Sequence, residues 1–386
     1  MSAPLYNKAI AVGGLFWISL NNGLVYGQMT GMISALQKKN EGISLSEDQI
    51  SLIASSLTMI CLIGFWIAAT VADKVGRRWS SILFSTLLTV NWIILYNATD
   101  MLMFMLSRII GGVATGALIS LTICIPSEYL SPKNRAFYLN AITTVAPAIG
   151  NGIGHFLGII YHWRNVALIS AMFSIMGIVL PYLWVESPHW LASRGMFAEC
   201  EQSFKKLHGN TSERELRELI NLETIKQDMA DKLNSKSIFK KLVLAFRRKY
   251  FWELIVLTAT IYAYLAAAGK LVFSSLATVM LEDMTGSSDI LVFTLLVDGF
   301  ILLGSILSCV FIRKMSMRTL LFTTGFTANA VLIILSGTLY FKTDKVYFQW
   351  INISLLALYF ILINAGPYPV SEAFVSEIFP LELKFY

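Results

Sequence analysis

Ten apolar stretches, most of them close to twenty residues long, recur between Ala9 and Val370. A bilayer core about 30 Å thick is crossed by a helix of about 20 apolar residues. No water is available there to satisfy backbone N–H and C=O groups, so each stretch must be a helix. The spans expected are Ala9–Met32, Ser51–Val71, Ser80–Tyr96, Leu102–Ile125, Tyr138–Ile160, Val166–Val185, Phe251–Met280, Ile290–Ile312, Leu320–Phe341 and Phe348–Val370. Charged residues make up 14% of the 386, against about 25% in a soluble chain. The fold class is therefore an all-α polytopic membrane protein.

One long hydrophilic passage, 186–250, interrupts this pattern, with thirteen Lys or Arg and nine Asp or Glu. It divides the chain into an N-terminal six-span bundle (1–185), a cytoplasmic helical linker (186–250) and a C-terminal bundle of four spans (251–386). Within the linker, Phe197–Leu207 and Glu213–Leu233 mix charged and apolar residues at three and four spacing, as amphipathic helices do.

Charge sets the orientation. With the N-terminus in the cytosol, 23 Lys and Arg fall inside and 5 outside, with Arg108 and Lys270 left within spans. That is the positive-inside pattern, so the net charge of +6 points to a lipid bilayer as partner, not to nucleic acid. The location expected is the plasma membrane. Cys61, Cys124, Cys200 and Cys309 show no paired spacing and read as small buried side chains. The scattered His155, His162, His189 and His208 form no nucleophile–base or metal set, so neither an enzyme nor a cofactor is expected. No pore-lining filter segment stands out.

The first half carries Asp73-Lys74-Val75-Gly76-Arg77-Arg78 between its second and third spans. A tight turn needs the glycine, and the arginines can pair with Asp73 and with helix C-termini, forming a latch between helix ends. A weak repeat links Glu128, Pro132 and Arg135 after the fourth span to Glu377, Pro380 and Lys384 after the tenth; in both, the cation follows the acid by seven residues. Internal repeats of this kind are typical of transporters.

These motifs resemble the major facilitator superfamily. Asp73 to Arg78 resembles its signature loop. Arg108, Gly112 and Gly116, Glu128 with Arg135, Glu186-Ser187-Pro188-His189-Trp190-Leu191, and Gly366-Pro367-Tyr368-Pro369 with Glu377 resemble motifs of its sugar-porter branch, most closely insect facilitated trehalose transporters. The resemblance implies two six-helix bundles with a substrate site between them and alternating access. The chain stops where an eleventh helix would begin, so the expectation is either a fragment of a longer protein or a variant that lacks the last two helices. The resemblance further implies a cytoplasmic gating network of Asp73, Gly76, Arg77, Arg78, Arg108, Glu128, Arg135, Glu186, Glu377 and Lys384. Arg108 is expensive in a membrane unless paired, and a partner like Glu186 would lower that cost.

The sequence departs from the branch in its seventh helix, where Ala263, Tyr264 and Gly269 stand in place of amides that bind sugar hydroxyls, and at Val370, which replaces a tryptophan. Lys270 and Asp298 bring charge into adjacent spans, each about 12–15 Å deep, and could pair. Tyr26-Gly27-Gln28 stands where proton-coupled relatives carry an aspartate, which favours facilitated diffusion. The candidate substrate-binding residues are Gln28, Asn140, Thr144, Asn151, Tyr264, Lys270, Asp298 and Asn364, while His155 reads as a helix-packing side chain. The substrate expected is a small carbohydrate of the trehalose or hexose class, carried by a monomer. The alternatives are a sugar-porter-like chain that does not transport, and a porter for another polar or charged solute.

Overall fold

The structure, a computed structural model, describes residues 3–37, 45–130, 132–209, 213–232, 249–268, 290–340 and 346–378. All regular structure among them is helical. The first half comprises α1 (Ala3–Gln37), α2 (Glu47–Val75), α3 (Arg77–Tyr96), α4 (Met101–Tyr129), α5 (Pro132–Asn140), a π segment (Ala141–Val145), α6 (Ala146–Ile160) and α7 (Trp163–Leu183). The linker contributes α8 (Pro188–Ser193), α9 (Phe197–His208) and α10 (Glu213–Lys232). The second half comprises α11 (Lys249–Ala267), α12 (Ile290–Lys314), α13 (Met317–Tyr340), α14 (Val346–Ala365) and α15 (Pro367–Ile378).

Among the described residues, eight helices are long and apolar enough to cross a membrane: α1 to α4, α7, α12, α13 and the run from α14 into α15. The expected fifth span is α5, the π segment and α6 in series. Pro147 explains the interruption: it lacks an N–H and its ring crowds the preceding turn, and widening that turn relieves both problems. The expected seventh span is helical to Ala267, and its remainder lies outside the described residues. The third span begins at Arg77, three residues before the expected Ser80, because Gly76 is the only residue between α2 and α3.

Local signals fix the ends of the helices. Ser46 and Gln49 form a reciprocal capping box on α2, Asp100 caps α4 through the Met103 N–H at 2.9 Å, and Ser187 caps α8. Each half has its own apolar core, the first around Leu57, Trp92, Phe104 and Ile125 and the second around Phe293, Val331, Tyr359 and Phe360. The linker helices close over a third, small core of Leu191, Cys200, Phe204, Leu216 and Leu219.

The first half is tied together by one close helix pair. A Cβ on Gly27 of α1 would lie 2.2 Å from the Asn151 carbonyl oxygen, and one on Gly150 of α6 would lie 1.9 Å from that of Leu20. No side chain fits at either position, so the backbones touch. Small residues allow this contact between helices in a membrane.

Candidate functional site

At the end of the bundle that carries the linker, Arg77 and Glu128 are both buried. Arg77 Nη2 donates to Glu128 Oε1 at 2.8 Å and Nε donates to both oxygens, at 3.1 and 3.0 Å. Its Nη1 donates to the Ala72 carbonyl at the C-terminus of α2, at 2.9 Å. Glu186 acts as the cap of α3. Its carboxylate accepts the N–H of Arg77 at 2.8 Å, of Arg78 at 3.2 Å and of Ser187 at 3.0 Å, where the helix dipole favours negative charge. Burial holds the Glu186 carboxyl above the usual carboxylate range, and these backbone N–H groups offset only part of that rise. The Arg78 guanidinium stands 5.6 Å from the Trp79 ring and 5.8 Å from the Tyr182 ring, which meet each other edge-on, and it donates to the Tyr182 carbonyl at 2.8 Å.

Asp73 acts on Arg77 through its charge, while its direct contacts among the described residues include the linker. Its carboxylate lies 3.7 Å from Arg194, and its carbonyl accepts from Arg194 and from Trp190 Nε1. The geometry explains these contacts. Arg77 starts a helix aimed at α4, whereas Asp73, in the last turn of α2, faces the linker helix α8. Arg135 Nη2 donates to the Leu130 carbonyl at 3.3 Å. The side chain of Glu377, and Lys384 altogether, lie outside the described residues.

A second set of polar contacts runs along the seam between the halves, where α5, the π segment and α6 pack against α12. The Arg313 guanidinium stands 3.7 Å from the Phe137 ring centroid. Asn140 Nδ2 donates to Ser308 Oγ at 2.6 Å and to Cys309 Sγ at 3.2 Å. Farther along, Asn151 Nδ2 donates to Asp298 Oδ1 at 3.1 Å, and His155 Nδ1 lies 2.6 Å from Asp298 Oδ2. Each step up one helix is matched by a step down the other, as two antiparallel helices require.

Comparison with known proteins decides the family. The sugar (and other) transporter family model matches residues 7–385. The chain belongs to the sugar transporter family. The facilitated trehalose transporter Tret1 of Bombyx mori is 22% identical over 387 residues, covering 97% of this chain and 72% of the relative. The sugar transporter ERD6-like 17 of Arabidopsis thaliana is 24% identical over 383 residues, covering 97% of this chain and 76% of the relative. The solved proton:xylose symporter XylE bound to 6-bromo-6-deoxy-D-glucose superposes with a TM-score of 0.82 at 18% identity, over 99% of this chain and 84% of that one. That likeness gives this sugar transporter the major facilitator fold. Members of its family are transporters, not enzymes.

The remaining expected residues of this transporter divide between satisfied and orphaned. Thr144 donates to the Asn140 side-chain oxygen. Asn364 Nδ2 is held by the Phe360 carbonyl at 2.8 Å. The Tyr264 hydroxyl points at Gly325 of α13, within the second half. Gln28 and Asn22 of α1 are 0% and 3% exposed, yet neither end of either amide has a hydrogen-bond partner among the described residues.

One expectation needs correction, and another lies partly outside the described residues. Arg108 does not join Glu186: it sits seven residues into α4 from Met101, the end away from the linker, while the Glu186 carboxylate is occupied by α3. Arg108 is 1% exposed, its Nη2 lies 3.4 Å from the Met32 sulfur, and its Nε has no hydrogen-bond partner among the described residues. The expected pairing of Asp298 with Lys270 falls on a residue outside the described ones; among the described residues Asp298 meets His155 and Asn151. His155 is thus more than a packing residue. Sequence reasoning missed this role because its partner is 143 positions away.

Proposed function

We propose that this transporter carries a small carbohydrate of the trehalose or hexose class across the plasma membrane by facilitated diffusion, as a monomer working by alternating access. In this reading residues 1–185 and 251–386 are the two moving bodies. The linker, 186–250, faces the cytosol, in keeping with the 23-to-5 bias of Lys and Arg. The observation that carries the reading is the pair of buried amides, Gln28 and Asn22, that lack partners. An amide buried without a hydrogen bond is costly, and a carbohydrate hydroxyl, both donor and acceptor, satisfies either end. The names of the relatives, trehalose and sugar transporters, support the same substrate class. The cluster of Arg77, Glu128 and Glu186 is the gating framework at the cytosolic face.

The test is uptake of labelled trehalose and glucose by cells expressing the chain, with surface expression measured in parallel. Saturable uptake that falls at least about tenfold in Gln28→Leu, equal to about 1.4 kcal/mol, supports the reading. A chain at the cell surface with no uptake of either sugar overturns it, as does uptake indifferent to both Gln28→Leu and Asn22→Leu.

A further inference from the structure

The seam between the halves is held at both ends, and the two ends use different chemistry. Away from the linker, Asp298 of α12 meets Asn151 and His155 of α6, and His155 Nε2 lies 3.1 Å from the Thr30 hydroxyl of α1. At the linker end the outermost contact is not a hydrogen bond. The Arg313 guanidinium carbon stands 3.7 Å from the centre of the Phe137 ring. Phe137 lies five residues after the start of α5, and Arg313 lies in the last turn of α12. Each half therefore supplies one of the two side chains. One turn deeper, Asn140 Nδ2 donates to Ser308 Oγ and reaches Cys309 Sγ at 3.2 Å.

We propose that Phe137 and Arg313 form a cation–π clasp that holds the cytosolic end of the transporter shut and parts whenever that end opens. The proposal rests on the alternating-access reading above, with the linker in the cytosol. A guanidinium is attracted to the negative face of an aromatic ring within about 6 Å of its centroid, and this one lies well inside that range. The C-terminus of α12 carries partial negative charge, which favours a cation in its last turn. Arg313 is exposed and Phe137 half-buried, so the ring covers one face of the guanidinium while its N–H edge stays hydrated. Parting the two costs little beyond the contact itself, because the cation is already wet. The buried Arg77–Glu128 pair, by contrast, lies wholly within the first half and keeps its partners as the halves separate.

Position gives the clasp leverage. It lies about 20 Å along the seam from Asn151, at the margin of both helices. Between the two stands the π segment Ala141–Val145, a wide turn of the kind at which helices bend. Beyond it α6 is fixed to α1 through Gly27 and Gly150, so α5 carries Phe137 on the more yielding side.

Cys309 reports the state of this end without any substrate. It lies one turn from Arg313 and is partly exposed, whereas Cys61, Cys124 and Cys200 are buried. In inside-out vesicles carrying the full chain, its rate of modification by a membrane-impermeant maleimide is read by peptide mass spectrometry. Phe137→Leu, which keeps apolar bulk but has no π face, should raise that rate between about threefold and about thirtyfold, corresponding to about 0.6 to about 2 kcal/mol. Phe137→Tyr and Phe137→Trp, which keep the face, should stay near the wild-type rate.

The decisive comparison repeats Phe137→Leu in an Arg313→Gln background, where any direct effect of the guanidinium on the thiol cancels. With no cation left to lose, the leucine should change nothing there. A wild-type rate in Phe137→Leu overturns the proposal. So does a rise of the same size in the Arg313→Gln background, which would mark the ring as packing alone. Thermal melting of each variant verifies that it is folded. Labelled-sugar uptake is scored separately: a clasp-dependent rate without uptake counts against the carbohydrate reading alone, and uptake without a clasp-dependent rate counts against the clasp alone.

Discussion

Glu186 fills the space that a side chain on Gly76 would need. A Cβ placed there would lie 2.5 Å from Glu186 Oε2 and 2.9 Å from its carboxyl carbon. The backbone at Gly76 also has φ of +101°, where an L side chain is strained by about 1–3 kcal/mol. Gly76→Ala should therefore destabilise the protein by more than this backbone term. In a double-mutant cycle with Glu186→Ala, the two losses should add to less than their sum, because the second substitution removes the obstructing carboxylate. Melting temperatures of the four proteins provide the measurement; strict additivity would refute the steric link.

Arg77 and Glu128 form a buried, multiply bonded ion pair. Removing one partner of such a pair leaves an uncompensated charge and costs about 3–5 kcal/mol, whereas replacing both with apolar residues is close to neutral. Glu128→Gln and Arg77→Met should each lower the melting temperature sharply. The Arg77→Met/Glu128→Met double variant should recover much of the loss in stability but not uptake, if the pair serves gating.

Arg108 presents the opposite case. Its guanidinium is buried against methionine sulfurs with no carboxylate within salt-bridge distance among the described residues. An unpaired charge in the membrane is a standing cost, so Arg108→Met should raise the melting temperature. A fall in uptake in the same variant would mark the residue as one kept for function at the expense of stability. A lowered melting temperature would show that the thioether contacts compensate the charge.

Gly150 and Gly13 should respond differently to the same change. A Cβ at 150 would meet the Leu20 carbonyl oxygen at 1.9 Å, whereas one at 13 has nothing within 4 Å. Gly150→Ala should cost about 1–3 kcal/mol or more by forcing α1 and α6 apart. Gly13→Ala should be neutral or slightly stabilising, by up to about 1 kcal/mol. Yield and melting temperature of the two variants provide the comparison.

Outside the membrane, His208 at the end of α9 packs against Phe204 and faces Lys8 of α1 at 3.2 Å. Burial first, and the Lys8 charge second, lower its pKa to about 4. In the unfolded chain a histidine titrates near ~6.5, so the folded form resists a proton that the unfolded form accepts. The docking of α9 on α1 is thus fully stable above that value and weakens as pH falls toward about 4. Melting curves across this window should fall less steeply for His208→Gln than for the wild type.

Hydropathy made most of the membrane helices legible because it depends only on neighbouring residues, and the amphipathic linker helices α9 and α10 were legible for the same reason. The crowding of Gly76, Arg77, Glu128 and Glu186 could be anticipated only through family resemblance, since spacing does not say which acid meets which arginine. The sequence suggested Asp73 for the arginines, and its charge does act on Arg77, but its contact with Arg194 of the linker was not legible. Asp298 was visible as a charge in an apolar span, but its partner is set by how the two halves pack, which no local pattern encodes. The glycines of α1 and α6 passed unnoticed because a small residue in an apolar run looks like filler until its backbone neighbour is known.

Those glycines bear on motion. With Gly27 and Gly150 leaving no gap, α1 and α6 behave as a single plank, and a shear between them would drive carbonyl oxygens into Cα atoms. Thr30 and His155 ride on that plank at a fixed spacing. Whatever rocking the two halves undergo, these two residues approach or leave Asp298 together, so the contact works as a one-coordinate switch whose stroke is the distance from α6 to α12.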